Sequence, residues 1–218
     1  MSLQNKQPES KELLEKYWIS GKKFHAKTFS FIKKYQNKII VIKYGGYALT
    51  KPALLKSFAK NISLLNQLGI KVIVVHGGGP QIEKELKKRK INNEEYQGLR
   101  VTTKSVLGVV KRILSHDLNK LISDEIKKNG GKTKRFNGVI TRVLKAKIAM
   151  NGNIGFVGEP RGIDKNLIMK ALKSNHIPII APLGIDTNKN TLNINADTAA
   201  AYIAVSYTHL TLPTNREV

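Results

Sequence analysis

The sequence predicts an α/β fold built on parallel strand pairing. Two apolar runs, Ile39-Ile40-Val41-Ile42 and Val72-Ile73-Val74-Val75, are β-branched throughout and read as buried strands. Each leads into a glycine turn, Lys43-Tyr44-Gly45-Gly46 and His76-Gly77-Gly78-Gly79-Pro80, and each turn is followed by a helical pattern. Strand, helix, strand, helix implies parallel neighbours joined by right-handed crossovers.

Taken in order, residues 1–36 read as a helical arm interrupted near Ser20-Gly21, with Leu13, Leu14 and Tyr17, then Phe24, Thr28, Phe31 and Ile32, at helical spacing. Such a helix has little of its own fold to pack on, so it either covers the core or pairs with another subunit. Lys38 to Lys43 is the first strand. Leu54, Phe58, Ile62 and Leu65 mark the next helix, with Pro52 suited to its first turn and Gly69 to its stop. Lys71 to Val75 is the second strand, and Gln81 to Lys90 a helix with Ile82 and Leu86 inward. Thr102-Thr103 caps a long helix that ends at Gly130-Gly131. Strands are predicted near Thr133 to Phe136 and Arg142 to Ile148, with Asn151-Gly152 as a hairpin turn and Ile154 to Gly158 returning. A helix over Asp164 to Ser174, strands at Ile177 to Ala181 and Thr191 to Ile194, and an apolar helix from Thr198 to Ala204, opened by Asn195-Ala196-Asp197, complete the pattern.

The 218 residues carry 38 Lys and Arg against 15 Asp and Glu, a formal charge of +23. Such a field draws anions in general. Specific nucleic-acid binding is the weaker reading, because no aromatic residues interleave with the basic clusters as a stacking platform requires. A lysine-rich composition with solvated basic faces explains the charge equally. The absence of cysteine rules out disulfides, thiolate metal sites and cysteine nucleophiles. No apolar run approaches the ~18 residues that span a bilayer. The first twenty residues hold Glu9, Glu12 and Glu15 with no apolar signal core, so a cytoplasmic location is expected and no membrane partner.

Glycine turns after strands aim main-chain N–H groups at an anion, and two in one α/β unit suggest a grip on a polyanionic group from two sides. Phosphoryl transfer suits that grip. The better-known templates are missing: there is no G-x-x-x-x-G-K-[ST], no G-x-G-x-x-G, no G-x-S-x-G elbow to accompany His-Gly-Gly-Gly, and no dense metal-ligand cluster.

Five segments in order carry a resemblance. They are Ile42-Lys43-Tyr44-Gly45-Gly46, then His76-Gly77-Gly78-Gly79-Pro80-Gln81-Ile82, Gly98-Leu99-Arg100-Val101-Thr102, Gly155-Phe156-Val157-Gly158-Glu159 and Asn193-Ile194-Asn195-Ala196-Asp197. Together the set resembles the N-acetylglutamate kinases of the amino acid kinase family, from about Phe29 to Ala204. The resemblance implies a three-layer α/β sandwich with a mostly parallel, carbamate-kinase-like sheet. It implies ATP-dependent phosphorylation of the γ-carboxylate of N-acetyl-L-glutamate, a step of arginine biosynthesis. By the same resemblance, Lys43 would neutralise the phosphoryl group in transfer, and the N–H groups of Gly46 and Gly78 would bind its oxygens. Gly77 and Gly78 would hold the acceptor carboxylate, Arg100 the α-carboxylate and Asn193 the α-carboxylate and acetamido end, while Asp197 would orient Lys43. Lys43, Gly45 and Gly46 would meet only the phosphoryl end of ATP, which brings its own Mg²⁺. Each residue has a plainer reading: Lys43 as a solvated strand-end charge, Arg100 paired with a surface acid, Asp197 capping a helix, Asn195 as structural, and His76 packing the turn.

The family has two lobes on one sheet, the second binding ATP and supplying another lysine. Here the match stops after Ala204, so residues 37–204 are expected to be the acceptor lobe alone. Residues 205–218 are expected to be a non-native, adapter-derived tail, which would leave the 199–204 helix uncovered and the chain without kinase activity. The arm resembles the extra helix that interlaces arginine-sensitive relatives into hexamers, so a homo-oligomer (a dimer, or a hexamer through the arm) and arginine as effector are expected. The rivals are a related kinase acting on carrier-linked aminoadipate, a basic nucleic-acid-binding module, and a module sensing an amino acid.

Overall fold

β1 (Ile39–Tyr44) and β2 (Lys71–His76) run parallel in the computed structural model, which describes residues 32–208, with Ile39 opposite Lys71 and Tyr44 opposite His76. α1 (Pro52–Gln67) makes the crossover, with Pro52 in its first turn and Gly69 at φ 85° just past its end. α2 (Gly79–Lys88) follows the second glycine turn. β8 (Ile177–Ile180) and β5 (Thr133–Phe136) complete a four-stranded sheet in the order β1-β2-β8-β5, every pair parallel.

Residue alternation explains the layers. Val72 and Val74 of β2 join a cluster with Leu55, Ala59, Ile62, Ile122 and Ile126 on one face, and Ile73 and Val75 join Phe136, Ile168, Leu172 and Ile203 on the other. Helices therefore cover both faces, and a strand buried on both sides has no polar positions to alternate with. The expected three-layer α/β sandwich is the fold.

The long helix is one rod with a change of pitch. α3 (Lys104–Lys111) is capped by Thr103, whose Oγ1 accepts from the Val106 N–H at 3.3 Å. A π-helical segment (Arg112–Leu118) leads into α4 (Asn119–Lys128). Gly108 lies exposed in α3, and a methyl group there would meet no atom within 4 Å. Gly108→Ala is expected to stabilise the fold by about 0.5–1 kcal/mol through the lower backbone entropy of alanine, read as a raised urea midpoint.

A second sheet closes on itself in the order β10-β7-β6-β9. Its strands are β6 (Leu144–Ile148), β7 (Val157–Ile163), β9 (Leu183–Ile185) and β10 (Thr191–Ile194). β6 and β7 form the expected antiparallel pair, but the return strand lies at 157–163, not 154–158. The link turns at Met150–Gly152, where Met150, Asn151 and Gly152 all have positive φ. A two-residue hairpin β3 (Glu95–Tyr96) and β4 (Leu99–Arg100) lies outside both sheets.

α5 (Lys165–Lys173) precedes β8, capped by Asp164 Oδ1, which accepts from the Leu167 N–H at 3.1 Å. α6 (Ala196–Thr208) is longer than expected and is not uncovered. It passes Ala204 by four residues and buries Ala199, Ala200, Ile203 and Tyr207 against the sheet. Burial pushes the Tyr207 phenol up to about 12, with the Asp164 charge adding to the effect. Most of the expected arm, residues 1–31, and residues 209–218 lie outside the described residues.

Candidate active site

β1 and β2 end level with one another, so their two glycine turns meet at the carboxyl edge of the parallel sheet, where α/β folds form binding crevices. The Gly77 N–H donates to Tyr44 O at 2.9 Å, tying the second turn to the first strand. Gln81 Nε2 in α2 donates to Gly46 O at 2.9 Å, tying the first turn to the second helix. The approach is close enough that a Cβ on Gly46 would stand 2.9 Å from the backbone nitrogens of both Gly78 and Gly79. On its other side Gly78 faces Leu114 and Leu118 of the π-helical segment; a Cβ would come within 2.7 Å of both. The N–H groups of Gly46 and Gly78 find no acceptor among the described residues.

These turns floor a cleft of about 250 Å³. Lys43, Gly46, Gly77, Gly78, Arg100, Asn193 and Asp197 all line it, so seven sequence-selected residues from distant segments come together. Gly45 does not line it, although a Cβ there would lie 3.8 Å from Lys43 Nζ.

Lys43 Nζ lies 3.0 Å from Asp197 Oδ1. The capping of α6 falls to the neighbouring residue. Asn195 Oδ1 accepts from the N–H groups of Asp197 at 2.8 Å and Thr198 at 3.1 Å, which leaves the Asp197 carboxylate for the lysine. The plainer reading of Asp197 as a helix cap is thus not met, because Asn195 caps the helix instead.

Arg100 stands on β4 opposite Glu95, its Nη1 donating to Asn93 Oδ1. Burial presses the guanidinium pKa below its usual value, while Glu95 and Glu83 act against that. Thr102, fully buried, joins this side to the sheet. Its hydroxyl donates to Arg100 O at 2.9 Å and accepts from Asn193 Nδ2 at 3.2 Å. The 155–158 segment packs beneath, with the Phe156 N–H donating to Thr102 O at 2.8 Å and Val157 lining the cleft.

His76 is fully buried behind the second turn. Nδ1 lies 3.2 Å from Gly77 O and Nε2 lies 3.2 Å from Asn119 Nδ2. Asn119 Nδ2 also donates to Ile179 O at 2.9 Å, and its Oδ1 accepts from Arg135 Nε at 2.9 Å. Arg135 Nη2 donates to Ser115 O at 3.0 Å. Burial lowers the His76 pKa to about 4, opposed by the Gly77 bond and reinforced by the Arg135 charge. The imidazole is therefore neutral at pH 7, a turn-packing group as its sequence context suggests.

Sequence reasoning passed over Glu95, Leu114 and Pro182, which line the same cleft. Glu95 lies on a strand too short to leave a periodic signal. Leu114 belongs to a helix whose extra backbone turn residue is invisible to a 3.6-residue template. No group of three or more His, Asp or Glu side chains among the described residues could hold a metal ion, and none of their helices is long and apolar enough to cross a membrane.

The model of the amino acid kinase family matches residues 38–208. The chain is similar to the acetylglutamate kinase of Psychrobacter arcticus, 40% identical over 185 residues that cover 80% of this chain and 61% of the relative. It thus spans about three fifths of that relative's length. The solved structure of smu.665 from Streptococcus mutans UA159 superimposes with a TM-score of 0.70 at 31% identity, covering 78% of this chain and 69% of that one. A Giardia carbamate kinase, at a TM-score of 0.54 and 15% identity over 77% and 67% of the two chains, shares the fold alone.

Proposed function

Because the chain belongs to the amino acid kinase family, we propose that residues 37–204 form the acceptor-binding lobe of an acetylglutamate kinase. In the reaction a γ-carboxylate oxygen of N-acetyl-L-glutamate forms a bond to the γ-phosphorus of ATP. The bond from that phosphorus to its bridging oxygen breaks, leaving ADP and an acyl phosphate. One observation supports this reading most: Lys43, paired with Asp197, shares a cleft with two main-chain N–H groups that have no acceptor among the described residues.

In this reading the Gly46 and Gly78 N–H groups bind the phosphoryl oxygens, and the Lys43 ammonium offsets the charge gathered there. The Gly78 N–H also faces the acceptor carboxylate, while Gly77, whose own N–H is held by Tyr44 O, lines the cleft beside it and offers no free donor. Arg100 offers a planar fork to the α-carboxylate, and Asn193, already oriented by Thr102, reads the acetamido end. The Lys43–Asp197 pair is too exposed to stabilise the fold by more than about 1 kcal/mol; its use is to aim the ammonium. A carboxylate nucleophile is ionised above pH ~5 and needs no general base. Lys43 and Gly46 meet the phosphoryl end of ATP from the cleft, and Gly45 shapes that turn from outside it. The described residues hold no metal-binding cluster, and Mg²⁺ would enter with the nucleotide phosphates. A cytoplasmic location, homo-oligomeric assembly and arginine as effector belong to the same proposal.

Calorimetric titration of the 218-residue chain with N-acetyl-L-glutamate tests it. Saturable uptake, weakened about tenfold or more in Arg100→Leu by loss of a charge-assisted pair, is the expected result. No uptake by the unaltered chain would overturn the acceptor assignment. Assayed by itself, the 218-residue chain is expected to bind acceptor without turning over ATP, and acetylglutamate-dependent ADP release would contradict that.

A further inference from the structure

The polar chain behind the second glycine turn has no part in the reading above. Its members are inside the protein: His76 and Asn119 are fully buried, and Arg135 is half-buried. It reaches from the turn to the π-helical segment and β5, through residues 43 and 16 positions apart in the chain.

We propose that His76, held in place by Asn119 and Arg135, is a positioning residue that locks the Gly77–Gly78 peptide with its N–H facing the cleft. The inference rests on the acceptor reading given above for what that N–H does, but its geometry stands separately. A trans peptide is planar, with its C=O and N–H pointing in opposite directions. The Gly77 carbonyl and the Gly78 N–H belong to one such unit. With the carbonyl drawn 3.2 Å from His76 Nδ1 in the interior, the N–H points the other way.

The remaining groups of the turn are fixed too. The Gly77 N–H is held by Tyr44 O at 2.9 Å, and Gly78 O by the Ile82 N–H at 2.9 Å. Of the main-chain groups from Gly77 N to Gly78 O, only the Gly78 N–H has no partner among the described residues. Without the imidazole no other donor among the described residues holds the Gly77 carbonyl, and glycine on both sides lets that peptide turn over.

The ring is set in one tautomer by its neighbours. Asn119 Oδ1 is taken by Arg135, so its amide group must present N–H to His76 and to Ile179 O. His76 Nε2 is then the acceptor, and Nδ1 carries the proton that Gly77 O receives. Arg135 on β5 sets the amide orientation from the far end, while its positive charge disfavours a second proton on the ring. The three residues form a directed chain in which every proton has one place.

Two measurements on the full 218-residue chain decide the matter. Long-range ¹⁵N–¹H spectra of the imidazole should show Nδ1 protonated and Nε2 bare at pH 7; a protonated Nε2 would overturn the proposal whatever the chain binds. Acceptor titrations then compare His76→Asn with His76→Leu. The asparagine amide nitrogen is as many bonds from Cα as Nδ1 is, so it can still hold Gly77 O, whereas leucine cannot. His76→Asn is expected within about threefold of the unaltered affinity for N-acetyl-L-glutamate, and His76→Leu about tenfold weaker or worse. Equal affinities in the two variants would overturn the proposal, and should His76→Leu fail to fold, the tautomer spectrum alone decides. Lack of uptake by the unaltered chain would instead remove the acceptor reading, with the pinned peptide still judged by its spectrum.

Discussion

Gly46→Ala is expected to separate the two glycine turns and abolish acceptor uptake. The added methyl would stand 2.9 Å from the nitrogens of Gly78 and Gly79, which are backbone atoms with no rotamer to move into. Gly78 cannot retreat, because Leu114 and Leu118 already close its other side. Gly46 cannot swing out freely either, its carbonyl being held by Gln81. The strain must open the seam between the turns, at a cost of about 1–3 kcal/mol for an overpacked site. The same opening disperses the N–H donors, so acceptor affinity should fall by more than the stability loss alone explains. Gly79→Ala is the steric contrast: its Cβ meets no atom within 4 Å, and its urea midpoint should stay within about 0.5 kcal/mol of the unaltered chain. Urea denaturation and calorimetry on both variants check this, and a Gly46→Ala chain that takes up N-acetyl-L-glutamate normally would refute the close-seam account.

What the sequence disclosed, and what it hid, follows from how far each interaction reaches along the chain. β1 and β2 were legible because apolar packing on both faces leaves unbroken β-branched runs, although only β2 is the buried strand expected and β1, at the sheet edge, is half-buried. The turns were legible because only glycine fits at Gly46, where any Cβ would stand 2.9 Å from two backbone nitrogens. Lys43 and Asp197 were selected through resemblance, yet only the fold shows that Asn195 takes over the cap and leaves the carboxylate for the lysine. The return strand at 157–163 was displaced in the reading because Met150 and Asn151 adopt positive φ without being glycine, lengthening the connection. β9 and the β3–β4 hairpin are too short to show a period. The chain from His76 through Asn119 to Arg135 was illegible, since an isolated histidine, asparagine and arginine carry no local sign that a β-strand, a helix pitch change and a glycine turn will bring them together.

Acid should destabilise this protein through His76 well before its exposed carboxylates matter. In the folded state the imidazole titrates at about 4, chiefly because burial disfavours the charged ring. In the unfolded chain it returns to about 6.5. Between those values the unfolded state binds the extra proton, so stability is fully present above pH 6.5 and falls as pH drops through the window to 4. A displacement of that size corresponds to about 3 kcal/mol, a large share of the stability of a typical domain. The charged group facing the ring is Arg135 on β5, which cannot lose its proton to relieve the clash. Exposed acids such as Asp124, held low mainly by its bond from Lys120, contribute only screened surface effects. Urea midpoints of the unaltered chain at pH 7.5, 5.5 and 4.5 should therefore decline steeply, while His76→Asn, with nothing to protonate at that position, should decline less by about 3 kcal/mol over the same span. Parallel declines in the two proteins would show that the buried imidazole is not what makes the fold acid-sensitive, and would leave carboxylate protonation and the mutual repulsion of a chain carrying +23 as the cause.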